Sequence, residues 1–148
     1  MSMYAIAHIV HLLCAVIFVG GILFEALVLS VLHSKAVSRA ARQEVEHAIS
    51  HRATRVMPVV VALLFASGLV MLHRHAAVLW QPFAHSFHTQ LALKIVLAIS
   101  VLAHFVFAVY KMKRHTLTKA WSRYIHIAVA MQVICIVLLA KTMFYVAW

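Results

Sequence analysis

Histidines placed inside apolar sequence are the residues of this chain best able to do chemistry. His8 and His11 lie in one long apolar stretch, His104 in another and His126 in a third. An ionisable ring in hydrocarbon is costly and is rarely kept there without a partner. A neutral imidazole is also the commonest ligand of transition metals and of haem iron. The pattern points to haem or metal-ion chemistry inside a membrane bundle.

The elements that must position these rings follow from composition. Of 148 residues, 66% are hydrophobic, and the mean hydropathy is +1.00. A soluble domain is far less apolar. About 20 apolar residues cross the hydrocarbon core as a helix. Four stretches meet that length: Tyr4 to Leu32, Val56 to Leu72, Leu91 to Tyr110 and Ile125 to Val146. Backbone polar groups in lipid must be satisfied within their own segment, so each stretch is expected to be helical. Short connections make successive helices antiparallel neighbours. The expected fold is all-α: one four-helix transmembrane domain over residues 1–148, an antiparallel bundle. No positive charge precedes the first span and its apolar run is long, so it is expected to persist rather than be cleaved as a signal.

The net charge of +10 is unevenly spread. Lys35, Arg39, Arg42, Arg52 and Arg55 lie between spans one and two; Lys111, Lys113, Arg114, Lys119 and Arg123 lie between spans three and four. The remaining connection holds Arg74. This asymmetry predicts cytoplasmic basic loops and both termini outside, in a bacterial inner membrane. Anionic lipid headgroups account for the charge, and nucleic acid is not an expected partner. Trp80, Trp121 and Trp148 fall at span boundaries, where amphipathic rings prefer to sit. Cys14 and Cys135 lie within spans and form no redox motif.

Between the first two spans, the polar segment Ser34 to Arg55 has helical periodicity at Val37, Ala41, Val45 and Ala48. It reads as a helical extension. Pro58 falls in the first turn of the second span, where a missing N–H is tolerated. The connection His73 to Gln90 contains Pro82 and reads as a loop with a short interfacial helix.

Topology turns position into depth at about 1.5 Å per residue. An outer layer then contains His8, His11, His73, Lys94 and Lys141, and an inner layer contains Glu25, His104 and His126. On the first helix, His11, Cys14, Phe18, Ile22 and Glu25 fall along one stripe. Glu25 is the only acid within a span, so a functional role is the default expectation, the alternative being an inner-interface residue that snorkels or pairs with a loop arginine. His104 and His126 are expected at similar depth on adjacent helices, the arrangement of a bis-histidine haem site. Lys94 and Lys141 either snorkel to the headgroups or pair with a ligand carboxylate such as a porphyrin propionate. The outer histidines His73, His75, His85 and His88 either bind divalent metal or are solvated loop residues. His33, His47, His51 and His115 sit among basic residues and read as interfacial or solvated.

The stretch His11-Leu-Leu-Cys-Ala-Val-Ile-Phe-Val-Gly20-Gly21 resembles the opening helix of CopD-type copper-resistance membrane proteins and of HemJ-type protoporphyrinogen oxidases. Ser67-Gly68-Leu69 is similar to a Thr-Gly-Leu of their second helix, and Leu91-Ala-Leu-Lys94-Ile-Val-Leu is similar to a lysine-bearing stretch of their third. Val137-Leu-Leu-Ala-Lys141 looks like the lysine-ended fourth helix of the HemJ type. The chain has Phe18 where tryptophan is usual, Glu25-Ala26 where the HemJ type has Pro-Arg, and Tyr124-Ile-His126 where that type has Asn-Glu-x-Pro. The resemblance implies a four-helix unit, a first-helix histidine at His11, and haem b or copper as cargo. It leaves oxidase activity open.

These readings give three expectations. In the first, the chain is a haem b-binding redox protein. His11, His104 and His126 are its candidate ligands, Glu25, Lys94 and Lys141 serve proton transfer or propionate contact, and a quinone or respiratory protein exchanges electrons. In the second, it handles copper through His8, His11, Cys14, Met71 and His73, which combine sulfur with imidazole. In the third, it is a cofactor-free subunit of a larger membrane complex. Homo-oligomerisation is compatible with all three.

Overall fold

The computed structural model describes residues 2–34, 37–114 and 116–145, and the side chains of all these except His33 and Lys119. Lys35, His115, Trp148 and the end of the fourth span at Val146 lie outside the described residues.

Every regular element among the described residues is helical. The elements are α1 (Met3–Leu27), a 3₁₀ turn (Leu29–His33), α2 (Arg39–His73), α3 (Ala77–Trp80), α4 (Ser86–Lys113) and α5 (Lys119–Thr142). Four of the helical stretches are long and apolar enough to cross a membrane. Hydroxyl side chains start three of the helices. Ser2 accepts from the Ala5 N–H, Ser38 from Ala41 and Thr118 from Trp121, at 3.2–3.3 Å. Each satisfies one of the donors left unpaired at a helix start.

Two expectations change in detail. The first span is not one helix: α1 stops at Leu27 and the chain tightens into the 3₁₀ turn. Ser30 Oγ takes the Leu27 carbonyl at 3.1 Å, the local competition by which serine breaks helices. Arg42 then closes the turn, with Nε 2.6 Å from the Leu32 carbonyl and Nη2 3.3 Å from that of Ser34. Pro58 lies in the interior of α2, because the extension and the second span form one 35-residue helix. At 1.5 Å per residue it is roughly 50 Å long, against about 30 Å of hydrocarbon. The connection after His73 does contain a short helix, α3, whose Val78 is only 1% exposed.

The chain divides into two compact units, Met1–Arg74 and His75–Trp148, each built on a pair of long helices. In the first, Ala7, His11, Cys14, Phe18 and Gly21 recur along α1 in alternating steps of four and three. All are buried or half-buried. That period marks a seam between two helices. Met57, Val61, Leu64, Gly68 and Met71 form the matching seam on α2 and are equally covered. Between lipid-bathed helices the hydrophobic effect gives little drive, and close packing of small residues replaces it. Ala7, Cys14 and Gly21 place one small residue in each heptad for that purpose. Leu12, Leu13, Val16 and Ile17 point away, each about half exposed or more, as apolar residues meeting lipid would.

In the second unit, Gln90, Lys94, Leu97, Val101, His104 and Ala108 repeat in the same way along α4 and are buried or half-buried. Ile125, Val129 and Val133 form the buried stripe of α5.

Candidate functional site

The first unit holds His11 in a built slot. Its Nδ1 lies 2.9 Å from the Leu64 carbonyl and 3.3 Å from Ser67 Oγ. A carbonyl can only accept, so Nδ1 carries the proton and the lone pair resides on Nε2. Ser67, itself buried, donates within α2 to the carbonyls of Leu63 at 2.7 Å and Leu64 at 3.0 Å. Gly68 forms the floor: a Cβ there would stand 3.3 Å from His11 Cε1. The ring therefore packs closely against a residue without a side chain, and a Cβ there would require it to give way slightly. At other levels Arg74 lies over the Tyr4 ring at 4.4 Å, and a Cβ on Gly21 would meet Met57. Along α1 from Tyr4 to Gly21 the partners on α2 fall from Arg74 to Met57, so the register is uninterrupted through the histidine.

Cys14 is buried one turn beyond His11 on the same seam. His8 is exposed, with its ring edge-on to Tyr4 at 6.2 Å. Met71 is half-buried on the α2 seam and His73 is exposed at its end. Glu25, in the last turn of α1, is exposed, so the stripe that begins at His11 is covered only as far as Ile22.

The second unit places His104 and His126 at one level but on different faces. His104 Nδ1 is 2.7 Å from the Ser100 carbonyl, and its half-buried ring lies 6.2 Å from Tyr124. Trp121 stacks edge-on against Tyr124 at 5.7 Å and also meets Phe107 at 5.6 Å. His126 Nδ1 is 2.8 Å from the Ser122 carbonyl, and the residue is exposed. Two residues beyond Tyr124 is about 3 Å along α5 but about 200° around it. The buried residue Ile125 lies between the two. His126 thus projects from the opposite flank to the residue that touches His104. His104 projects from α4 on the side of Tyr124, whereas His126 leaves α5 from the other flank.

All three candidate ligands donate Nδ1–H to a backbone carbonyl, which fixes one tautomer. His88 does the same outside the apolar core of its span, 3.0 Å from the Gln81 carbonyl. Metal-binding histidines characteristically use such a bond to orient the ring and to present the other nitrogen. Among the described residues, no three His, Cys, Asp or Glu side chains converge on a position that would hold a metal ion.

Lys94 is half-buried on the α4 seam, one turn from Gln90, whereas Lys141 is exposed. Gln90 is buried and accepts from Thr142 Oγ1 at 3.0 Å. Ser67 entered the sequence analysis only through Ser67-Gly68-Leu69, and Gln90 and Gln132 did not enter it as site residues; Gln132 Oε1 is buried without a hydrogen-bond partner. Their signal was available: a polar residue in a seam position of an apolar helix.

In comparison with known proteins, the chain matches no protein-family model, no curated protein and no solved structure.

Proposed function

We propose that this chain is a haem b-binding redox protein of the bacterial inner membrane. The observation that carries the reading is the shared orientation of His11, His104 and His126. Each gives Nδ1–H to a backbone carbonyl, of Leu64, Ser100 or Ser122, and so presents an Nε2 lone pair suited to iron. The donor set fits haem: neutral imidazoles, in apolar surroundings, held by a second layer of contacts. His11, His104 and His126 are the candidate ligands; His11 and His104 are each half-buried on a seam of their own unit.

When bound, haem supplies one-electron transfer at its iron. The chain orients the imidazoles, excludes water with apolar helices, and compensates propionate charge with Lys94 and Lys141. Glu25 serves proton exchange near the cytoplasmic end of α1. In this proposal both termini lie outside and the basic loops are cytoplasmic. A quinone or respiratory protein exchanges the electrons. The CopD/HemJ-type resemblance of the first helix agrees with this assignment.

The test is a visible spectrum of purified protein, oxidised and dithionite-reduced, with metal analysis of the same sample. A Soret band with sharp reduced α and β bands supports haem b. A second reading, copper handling, is favoured by buried Cys14 one turn from His11 on the same face, a sulfur–imidazole pairing suited to copper. It predicts bound copper and a featureless spectrum. Protein retaining neither, when isolated under conditions that preserve cofactors, fits a cofactor-free subunit.

A further inference from the structure

Among the described residues outside the in-span histidines, two pairs of histidine rings stand close together. His47 and His51 stack on the α2 extension with centroids 6.5 Å apart and planes inclined by 18°. His85 and His88 meet at the start of α4 with centroids 5.5 Å apart and planes at 62°. Geometry separates the two pairs. A zinc–nitrogen bond is about 2.0–2.1 Å, and the ring centre lies roughly 1.1 Å behind the nitrogen, so two imidazoles on one tetrahedral ion have centroids about 5.2 Å apart. The His85–His88 pair is already near that value; the His47–His51 pair must open and turn.

A second observation favours the same pair. The Nδ1 of His88 lies 3.0 Å from the Gln81 carbonyl. The carbonyl fixes the proton on Nδ1 and the lone pair on Nε2, the orienting bond that metal-binding histidines use. Phe87 packs between His75, at 5.7 Å, and His88, at 6.3 Å, and also against Phe144 at 6.2 Å. These contacts limit how far the His88 ring can swing. His85 precedes the first turn of α4 in extended conformation and is exposed, so it can turn to meet an ion with little cost in packing. The helix N-terminus opposes a cation weakly.

We propose that His85 and His88 form a two-histidine site for a divalent ion of the zinc type, with water completing the tetrahedron. It is separate from the in-span histidines and does not rest on the haem assignment. The probe is Zn(II) alone, titrated calorimetrically into the full chain in detergent. Wild-type protein is expected to bind zinc, and His85→Ala and His88→Ala each to weaken binding about tenfold or more, the scale seen when a metal site loses a supporting group. His47→Ala/His51→Ala is expected to bind as wild type. Helicity measured on every variant confirms folding; both pairs are at least partly exposed, so the substitutions leave the seams intact. Absence of zinc binding by the wild type, undiminished binding in the His85→Ala/His88→Ala double variant, or loss in His47→Ala/His51→Ala would each overturn the proposal.

Discussion

His11 Nδ1 and the Leu64 carbonyl oxygen face each other across the first hairpin at 2.9 Å. This one contact does two jobs that substitution can separate. It joins α1 to α2, and it sets the tautomer that leaves the lone pair on Nε2. Interhelical hydrogen bonds in membranes average about 0.6 kcal/mol and reach about 1.7 kcal/mol. Ser67 Oγ also donates to Leu64 at 3.0 Å, so the carbonyl is not stranded when the ring is lost. His11→Ala is therefore expected to lower stability by no more than about 1–2 kcal/mol, measured by unfolding in detergent. His11→Gln can retain a donor toward Leu64 yet offers no imidazole. It is expected to keep near wild-type stability and, if the proposed haem is bound through His11, to lose its spectrum. A spectrum unchanged in His11→Gln removes His11 from the ligand set.

The three glycines form a graded series. A Cβ at Gly20 meets nothing within 4 Å, one at Gly21 meets Met57 Cε at 3.0 Å, and one at Gly68 meets His11 Cε1 at 3.3 Å. The methionine tip swings aside cheaply. The imidazole is held by its bond to Leu64 and cannot. Replacing glycine with alanine inside a helix otherwise favours folding by up to about 1 kcal/mol, whereas overpacking a close contact costs about 1–3 kcal/mol. Gly20→Ala is expected to be neutral or stabilising, Gly21→Ala near neutral, and Gly68→Ala destabilising with a perturbed His11 ring signal in NMR. Equal stabilities across the series would mean that Gly68 is not needed to seat the ring.

The helices were readable because their apolar lengths leave the chain no alternative in lipid, and His11 stood out because imidazole is costly there. Its partner was not readable. Leu64 and Gly68 acquire their roles only through the register of α1 on α2, which rests on packing at Gly21 and Tyr4 far along the sequence. Position likewise did not give the faces of His104 and His126. Those depend on which stripe of α5 is buried, and Ile125, between Tyr124 and His126, occupies that stripe. The break after Leu27 was hidden because hydropathy runs on through Leu32 while Ser30 and Arg42 end the helix by hydrogen bonding.

Arg42 ties the start of α2 to the turn after α1 through the carbonyls of Leu32 and Ser34. Hydrogen bonds from a charged donor contribute about 1.5–3 kcal/mol when sheltered, and this side chain is half-buried. Arg42→Ala is expected to cost about 1 kcal/mol after that shelter is discounted, and Arg42→Lys to recover only part of it, because one ammonium cannot reproduce the fork. Amide hydrogen exchange is the direct measure. Residues 28–34 should exchange faster in Arg42→Ala while the α1 seam from Ala7 to Gly21 stays protected; unchanged exchange in the turn would show that Arg42 does not hold it.

His104 and His88 both lie on α4 and both give Nδ1 to a carbonyl, of Ser100 and Gln81 respectively. They differ in surroundings. His104 is on the seam beside Tyr124, whereas His88 sits in the first turn near His85 and Phe87. If a place on the helix seam selects the haem ligand, His104→Ala lowers the haem-to-protein ratio and His88→Ala does not. If the His85–His88 pair binds zinc, the same two variants exchange places in a zinc titration: His88→Ala loses affinity and His104→Ala keeps it. The crossed result matters more than either half. A variant that merely loosens α4 would depress both signals, and only distinct sites can separate them. Equal haem retention in the two variants counts against His104 as a ligand, and the assignment would then shift to His11 and His126.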